Sequence, residues 1–448
     1  MKKTDVLVIG GSASGLVAAS TAKSNYPEKT VTLVRKEEKV MIPCGIPYIF
    51  GTVETSDNNI LPDQGLINLG VNILIDEITE INSKEKICKT KNGEEISYDK
   101  LIIATGSKPS VPKWLKGTEL ENVYTIPKNK NYLDILQSKL KDAEKIAVIG
   151  GGFIGVEVSD ELNKTGKKIN LIEILPNILG STFDEEFITE AEKILSERGV
   201  NIKTSCGVKE ILGETKVKGI LLDSGEILEA DAVILSLGYI PNTELAQNCG
   251  LKTNECGFIK ADQYRRTSEK DIFAAGDCAE KTDFSTGKIS KVMLASTACT
   301  EARTAGMNLY GLNTFSSFRG TIGIYSTCIG DNAFGVAGMI EKNAVNEGFK
   351  IITGSFTGID RHPGKISDSH KQTVKLIVSK DSGIILGGEV MGGKTSGELT
   401  NVLGVIIQNH MTINDLLMTQ IGTQPLLTAS PAGYPLIKAA ENAAKKLK

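Results

Sequence analysis

Apolar and polar positions along the chain follow a pattern that occurs twice. Residues 4–9 (TDVLVI) form a short apolar run closed by Gly10, Gly11 and Gly15; a helical stretch, LVAASTAKS, follows, then a second strand, TVTLV, at 30–34. Residues 145–149 (KIAVI) start the same pattern, with Gly150, Gly151, Gly152 and Gly155, a helix VEVSDELNKTG and a strand KINLIE ending at Glu173. Each block is a strand–turn–helix–strand unit of about 30 residues, the size of a βαβ motif. The echo continues downstream, where YDKLIIATG (98–106) and ADAVILSLG (230–238) each place an apolar strand before a small-residue turn. Two nucleotide-binding domains of similar plan are expected, one inserted into the other.

After about residue 319 the character changes. The strands TVKLIVSK and GIILGGEVMGG precede an apolar helix, SGELTNVLGVIIQNHM, and the segment LLTASPAGYPLIKAAENAAKK. This reads as an α+β domain without a glycine fingerprint, suited to an interface. The expected class is α/β, with two Rossmann-like units and a C-terminal α+β domain.

Composition narrows the picture without changing it. A chain of 448 residues suggests about three domains. A formal charge of -3 gives no electrostatic reason to expect nucleic acid or an anionic membrane surface. The start, MKKTDVLVIGG, is interrupted by Asp5 and its glycines and reads as a strand rather than a signal peptide. No stretch approaches the ~18 apolar residues of a membrane span, so a cytoplasmic protein is expected. The eight cysteines show neither CxxC nor CxxxxC spacing, which argues against a zinc ribbon or other metal site and against a local redox dithiol.

The stronger glycine signal is the second. Gly150-x-Gly152-x-x-Gly155 lies between a strand and a helix, where backbone amides and a helix N-terminus can meet a pyrophosphate. Glu173 ends the next strand, where an acid binds an adenosine ribose and repels a 2′-phosphate; NADH is therefore expected over NADPH. The first signal is degenerate, with Gly10 and Gly15 flanking Ser12. Arg35 stands where the acid belongs, and Glu37 follows as a substitute. Asp271–Asp277 (DIFAAGD) is a short apolar strand ending in a Gly-Asp turn, whose aspartate can accept hydrogen bonds from the hydroxyls of a ribityl chain.

Through VIGGSASG, IIATG, VIGGGFIGVE, LSLGYIPN and IFAAGDC the chain resembles the pyridine nucleotide–disulfide oxidoreductases over essentially its whole length. The resemblance implies an FAD domain split as 1–112 and 246–318, an NAD domain at 113–245, and a C-terminal dimerisation domain at 319–448 that makes a homodimer. It implies FAD contacts at Gly10, Ser12, Gly15, Arg35, Glu37, Thr105, Gly106, Asp277 and Thr297, and NADH contacts at Gly150, Gly152, Gly155, Glu173 and Gly238. PCGIPY at 43–48 carries one cysteine and looks most like the coenzyme A disulfide reductases and the NAD(P)H-dependent persulfide or polysulfide reductases, with the NADH oxidases as near relatives.

The implied catalytic residue is Cys44. The residues after Pro43 are expected to open a helix, whose N-terminus would lower the thiol pKa. The next cysteine is Cys88, so oxidised Cys44 is expected as a mixed disulfide with a small thiol, a persulfide or a sulfenic acid. In LASTACTEARTAG, Arg303 matches a family arginine that contacts coenzyme A, while the companion asparagine is replaced by Cys299. The tyrosines that protonate the leaving thiol in coenzyme A disulfide reductases have no match in RHPGK or GTQPLLTASP, which leaves His362 as the candidate acid. The leading expectation is an NADH-dependent reductase of a small-molecule disulfide or persulfide. The alternatives are an NADH oxidase cycling through a sulfenic acid, an electron-transfer reductase that does not need Cys44, and, more remotely, a non-enzymatic nucleotide sensor.

Overall fold

The computed structural model describes residues 1–447. The first apolar run becomes the strand Lys2–Ile9, at the centre of a seven-stranded sheet. Its neighbours are Val31–Arg35 and Glu95–Ile103, both parallel to it, so Val8 stands beside Leu33 on one side and Ile102 on the other. Val6, Leu7 and Val8 are all buried, as an unbroken apolar strand must be when both faces of a parallel sheet are covered. The strand Ile272–Ala274 adds to the same sheet by pairing with the end of Glu95–Ile103. The chain thus returns to its first sheet after building a second one.

That second sheet is fully parallel, in the order Val123–Thr125, Ala232–Leu235, Lys145–Ile149, Lys168–Ile172, Asn201–Lys203. Both glycine turns lie between the central strand of their sheet and the next helix, Ala13–Asn25 in the first and Phe153–Asn163 in the second. The C-terminal domain is a five-stranded antiparallel sheet from Ile324–Ile329 to Lys371–Ser379 and Ile385–Gly392, covered by the helices Thr395–Gln408 and Pro435–Ala444. The observed class is the α/β one expected. Among the described residues no helix is long and apolar enough to cross a membrane.

One hydrophobic cluster joins all three parts and fixes the reactive segment. Met41, Ile46, Ile49 and Phe50, flanking Cys44, pack with Val156, Val158 and Leu162 of the second unit's helix and with Ile329, Phe334 and Val336 of the C-terminal sheet. Each buried side chain of this size contributes about 1.5–3 kcal/mol. The two turns around Cys44 are therefore held by tertiary packing, not by their own short hydrogen-bond ladders.

Candidate functional site

The two glycine turns have matching geometry. Gly10 and Gly150 have φ of 112° and 108°, and an added Cβ would meet Ala104 O at 2.1 Å and Ser236 O at 2.5 Å. At Gly15 and Gly155 a Cβ would lie 1.8 Å from the carbonyl oxygen of Gly10 or Gly150, so helix and turn touch backbone to backbone. Gly152 differs, since its missing Cβ faces open space. The helices that start at these turns have Ser12 and Gly152 as N-caps, neither making a side-chain cap bond, and neither helix has an acid in its first turn. Their leading N–H groups remain available for a pyrophosphate. Both cradles fit a dinucleotide.

The strand ends behind the turns diverge. Glu173 accepts the Gly151 N–H at 2.6 Å on Oε2 and the Leu175 N–H at 2.8 Å on Oε1, which fixes a carboxylate beside the second turn. Arg35 lies against Gly11 in the equivalent place but is buried. Its guanidinium donates to both carboxylate oxygens of Asp63 and to the carbonyls of Glu37 and Glu38. Each of its nitrogens makes at least one of these bonds, so Arg35 braces the loop that carries half-exposed Glu37.

The Gly-Asp turn meets the ATG turn. Asp277 Oδ2 accepts from Ser107 Oγ and from Lys128 Nζ, each at 2.7 Å, and Lys128 also donates to Ser107 at 3.1 Å. Both contacts on Asp277 use Oδ2, leaving Oδ1 for a ligand hydroxyl. Burial raises the Asp277 carboxyl, but Lys128 and Ser107 outweigh it and hold the group below the usual carboxylate range. Gly106 and Gly238 have φ of 67° and 85°, and their missing Cβ atoms face open space. Thr105 donates its hydroxyl to Asn242 O at 2.6 Å and so clasps the crossover between the two units. Thr297 pairs its hydroxyl with that of Thr321 and sits in the first turn of the helix Ala295–Met307, whose N-cap, Leu294, makes no side-chain cap bond.

Cys44 is exposed and free, within the three-residue 3-10 turn Pro43–Gly45, and a second such turn runs Pro47–Phe50. Turns this short carry little dipole, and the expected lowering of the thiol does not occur. Burial of the sulfur on its protein side raises the pKa, the Glu157 and Asp277 charges and the Cys299 thiol raise it further, and Lys128 opposes them. Glu157, on the helix Phe153–Asn163, is buried and accepts hydrogen bonds from Thr327 Oγ1 at 2.8 Å and Tyr48 Oη at 3.1 Å. Burial lifts its carboxyl to about 7, against the pull of those two hydroxyls.

Glu157, Lys128, Tyr48 and Ser107 were not singled out from sequence. Glu157 had one signal, a carboxylate between two valines on a helix that covers a sheet. Tyr48 closes PCGIPY without its own role being readable there, and Lys128 and Ser107 had no signal, because the partners of all three lie far away in the chain.

Arg303 is exposed one helical turn beyond Cys299, whose thiol is raised by burial and lowered by the Arg303 charge. His362 sits on the C-terminal domain with Nδ1 2.7 Å from the Thr428 carbonyl oxygen. The structure thus brings RHPGK and GTQPLLTASP together, as two segments of one surface.

Comparison with known proteins agrees with this architecture. Residues 4–302 match the family model described as pyridine nucleotide-disulphide oxidoreductase, and residues 324–432 match the dimerisation domain of the same family. The chain is 30% identical to an NADH oxidase of Enterococcus faecalis, over 94% of this chain and 95% of that one. It is also 30% identical to an NAD(P)H coenzyme A polysulfide/persulfide reductase of Pyrococcus horikoshii, over 97% of each chain. The solved structure of an NAD-dependent persulfide reductase from A. fulgidus superposes with a TM-score of 0.90 at 31% identity, covering 99% of this chain and 83% of that one.

Proposed function

This chain belongs to the pyridine nucleotide-disulphide oxidoreductase family, and from that premise we propose that it uses NADH and FAD to reduce the sulfur–sulfur bond of coenzyme A disulfide, or of a related persulfide or polysulfide, at Cys44. The observation that carries this reading is the position of Cys44. It is an exposed thiol within electrostatic reach of Asp277 in the first unit and of Lys128 and Glu157 in the second. The family is FAD- and NAD(P)H-dependent.

The turn Gly10–Gly15, the Asp277 turn and the start of Ala295–Met307 would hold FAD, and Gly150–Gly155 with Glu173 would hold NADH. When bound, FAD supplies a two-electron relay between nicotinamide and sulfur. The chain's own residues perform the rest. The Cys44 thiolate attacks one sulfur of the substrate, a mixed disulfide forms at Cys44, and the other sulfur leaves as a thiolate that takes a proton. Two electrons then cleave the mixed disulfide, restoring the Cys44 thiolate and releasing the second product thiol. Glu157, whose carboxyl burial lifts to about 7, sets the charge felt by the Cys44 thiol. Arg303 would pair with a coenzyme A phosphate. His362 would protonate the leaving thiol from the partner copy in a homodimer formed through the C-terminal domain.

Cys44→Ser tests the reading directly. Purified variant should keep its yellow cofactor and still reduce an artificial dye with NADH, while coenzyme A disulfide and polysulfide reduction falls to background. Undiminished disulfide turnover would refute it. A second reading, an NADH oxidase, is favoured by the equal similarity to the E. faecalis NADH oxidase. Rapid NADH consumption in air without a thiol substrate would place it first.

A further inference from the structure

Behind the Gly-Asp turn lies a group of charged side chains that the proposed reaction does not use. Arg265, Lys281 and Glu301 are 1%, 2% and 0% exposed. Glu301 accepts the Gly276 N–H at 2.7 Å through Oε2. Its Oε1 has no hydrogen-bond partner and lies 3.5 Å from Arg265 Nη2 and 3.8 Å from Lys281 Nζ. Lys281 donates to the Gly276 carbonyl at 3.2 Å and to that of Ala279 at 2.8 Å. Arg265 donates to the carbonyls of Ala274 and Glu280. Both polar groups of Gly276, the residue before Asp277, are therefore gripped from inside the domain by fully buried charged side chains.

The group does not cancel. Two cations face the Glu301 carboxyl, and Asp277 on the other side of the turn is itself paired with Lys128 at 2.7 Å, so across these three cations and two carboxyls positive charge remains whether Glu301 is ionised or protonated. Burying such an ion costs several kcal/mol, and well-packed apolar side chains often serve stability as well or better. The excess charge is also felt outside the group, since Lys281 contributes to keeping Asp277 ionised.

We propose that Arg265, Lys281 and Glu301 form a buried positioning and charge-setting triad for the flavin site. Glu301 and Lys281 fix the Gly276 peptide so that Asp277 is presented in one orientation, and the surplus positive charge raises the cofactor's reduction potential. The physical reason is that two-electron reduction of a flavin adds negative charge, and a fixed cation in a low-dielectric interior favours the more negative state. This inference rests on the reading of that turn as the flavin's.

The test is the two-electron midpoint potential of purified holoenzyme, measured against a reference dye, with flavin content and thermal unfolding followed in parallel. Lys281→Met and Arg265→Met each remove one positive charge and should lower the potential, giving a several-fold change in the equilibrium constant with the dye. Arg265→Lys keeps the charge and should keep the wild-type value even where unfolding temperature drops. Glu301→Gln removes no positive charge and should leave the potential unchanged or raise it. A merely structural triad would move all four variants together, or move stability alone, and either result overturns the proposal. If Lys281→Met does not retain flavin, the Arg265 pair decides. A wild-type protein without flavin would instead refute the functional reading itself.

Discussion

Tyr48 donates its hydroxyl to Glu157 Oε1 across 3.1 Å, tying the turn that follows Cys44 to the helix that follows the second glycine turn. The bond helps keep a buried carboxyl within titratable range, at about 7. It also sets the charge that Cys44 experiences. Once ionised, Glu157 opposes thiolate formation and adds to the effect of burial. Glu157→Gln removes that charge, so the Cys44 pKa should fall. The rate of Cys44 alkylation by iodoacetamide should rise several-fold over wild type above about pH 7, with the two rates converging below it as wild-type Glu157 protonates. Equal rates across the whole range would show that Glu157 does not act on the thiol.

Most of the architecture is legible in the sequence, because close backbone packing leaves a compositional mark. A Cβ on Gly10 would strike Ala104 O at 2.1 Å, so the turn needs glycine and glycine stands there. Strands covered on both faces, such as Val6–Ile9, are apolar throughout. The electrostatics of the site are not legible in the same way. Lys128 reaches Asp277 and Tyr48 reaches Glu157 only after two domains have docked, and nothing near Lys128 in IPKNK announces it. The pKa direction expected for Cys44 failed for a local reason. Pro43 and Pro47 each start a turn of three or four residues, too short for an effective helix dipole, and tertiary burial then decides the sign.

The joint between the second and C-terminal domains should make stability depend on pH. Lys375 is buried among Asp184, Glu186, Glu341 and Glu389. Glu389 accepts the Asp184 N–H through Oε1, while Oε2 has no hydrogen-bond partner and lies 3.9 Å from Lys375 Nζ. Burial, and next the Asp184 charge, lift Glu389 from 4.5 to about 9. Its folded pKa lies above the unfolded one, so the folded chain binds this proton more tightly. The stabilisation is complete below about 4.5 and is lost as pH rises towards 9. Glu389→Gln keeps a neutral side chain throughout. Its unfolding temperature should exceed that of wild type by several degrees at alkaline pH, with the gap closing at mildly acidic pH. A constant gap would mean that Glu389 does not titrate in this window.

Two glycines of the second turn should respond in opposite ways to the same methyl group. Gly155→Ala places a Cβ 1.8 Å from Gly150 O, so turn and helix must separate. Loss of both stability and NADH binding is expected. At Gly152 the φ of -75° suits alanine, and the added Cβ meets nothing within 4 Å. Gly152→Ala should fold with an unchanged unfolding temperature and yet bind NADH several-fold more weakly, because the methyl group occupies the approach to the uncapped helix. Calorimetry and NADH titration separate the two effects. Unchanged affinity in Gly152→Ala would move the pyrophosphate away from this turn.

The choice between NADH and NADPH should rest on the charge of Glu173 and not on its hydrogen bonds alone. The carboxylate is fixed by the N–H groups of Gly151 and Leu175, and a 2′-phosphate arriving at this strand end would meet a negative charge that cannot swing away. Glu173→Gln retains an acceptor for one of these N–H groups while removing the charge. Measured by NADH- and NADPH-dependent dye reduction, which needs no sulfur substrate, the ratio of kcat/KM values should fall on the order of tenfold, equivalent to about 1.4 kcal/mol. Most of the change should come from improved NADPH use. Glu173→Ala, which also frees both N–H groups, should in addition raise the KM for NADH. If the glutamine variant keeps the wild-type ratio while the alanine variant loses it, the carboxylate shapes the turn and the discrimination lies elsewhere.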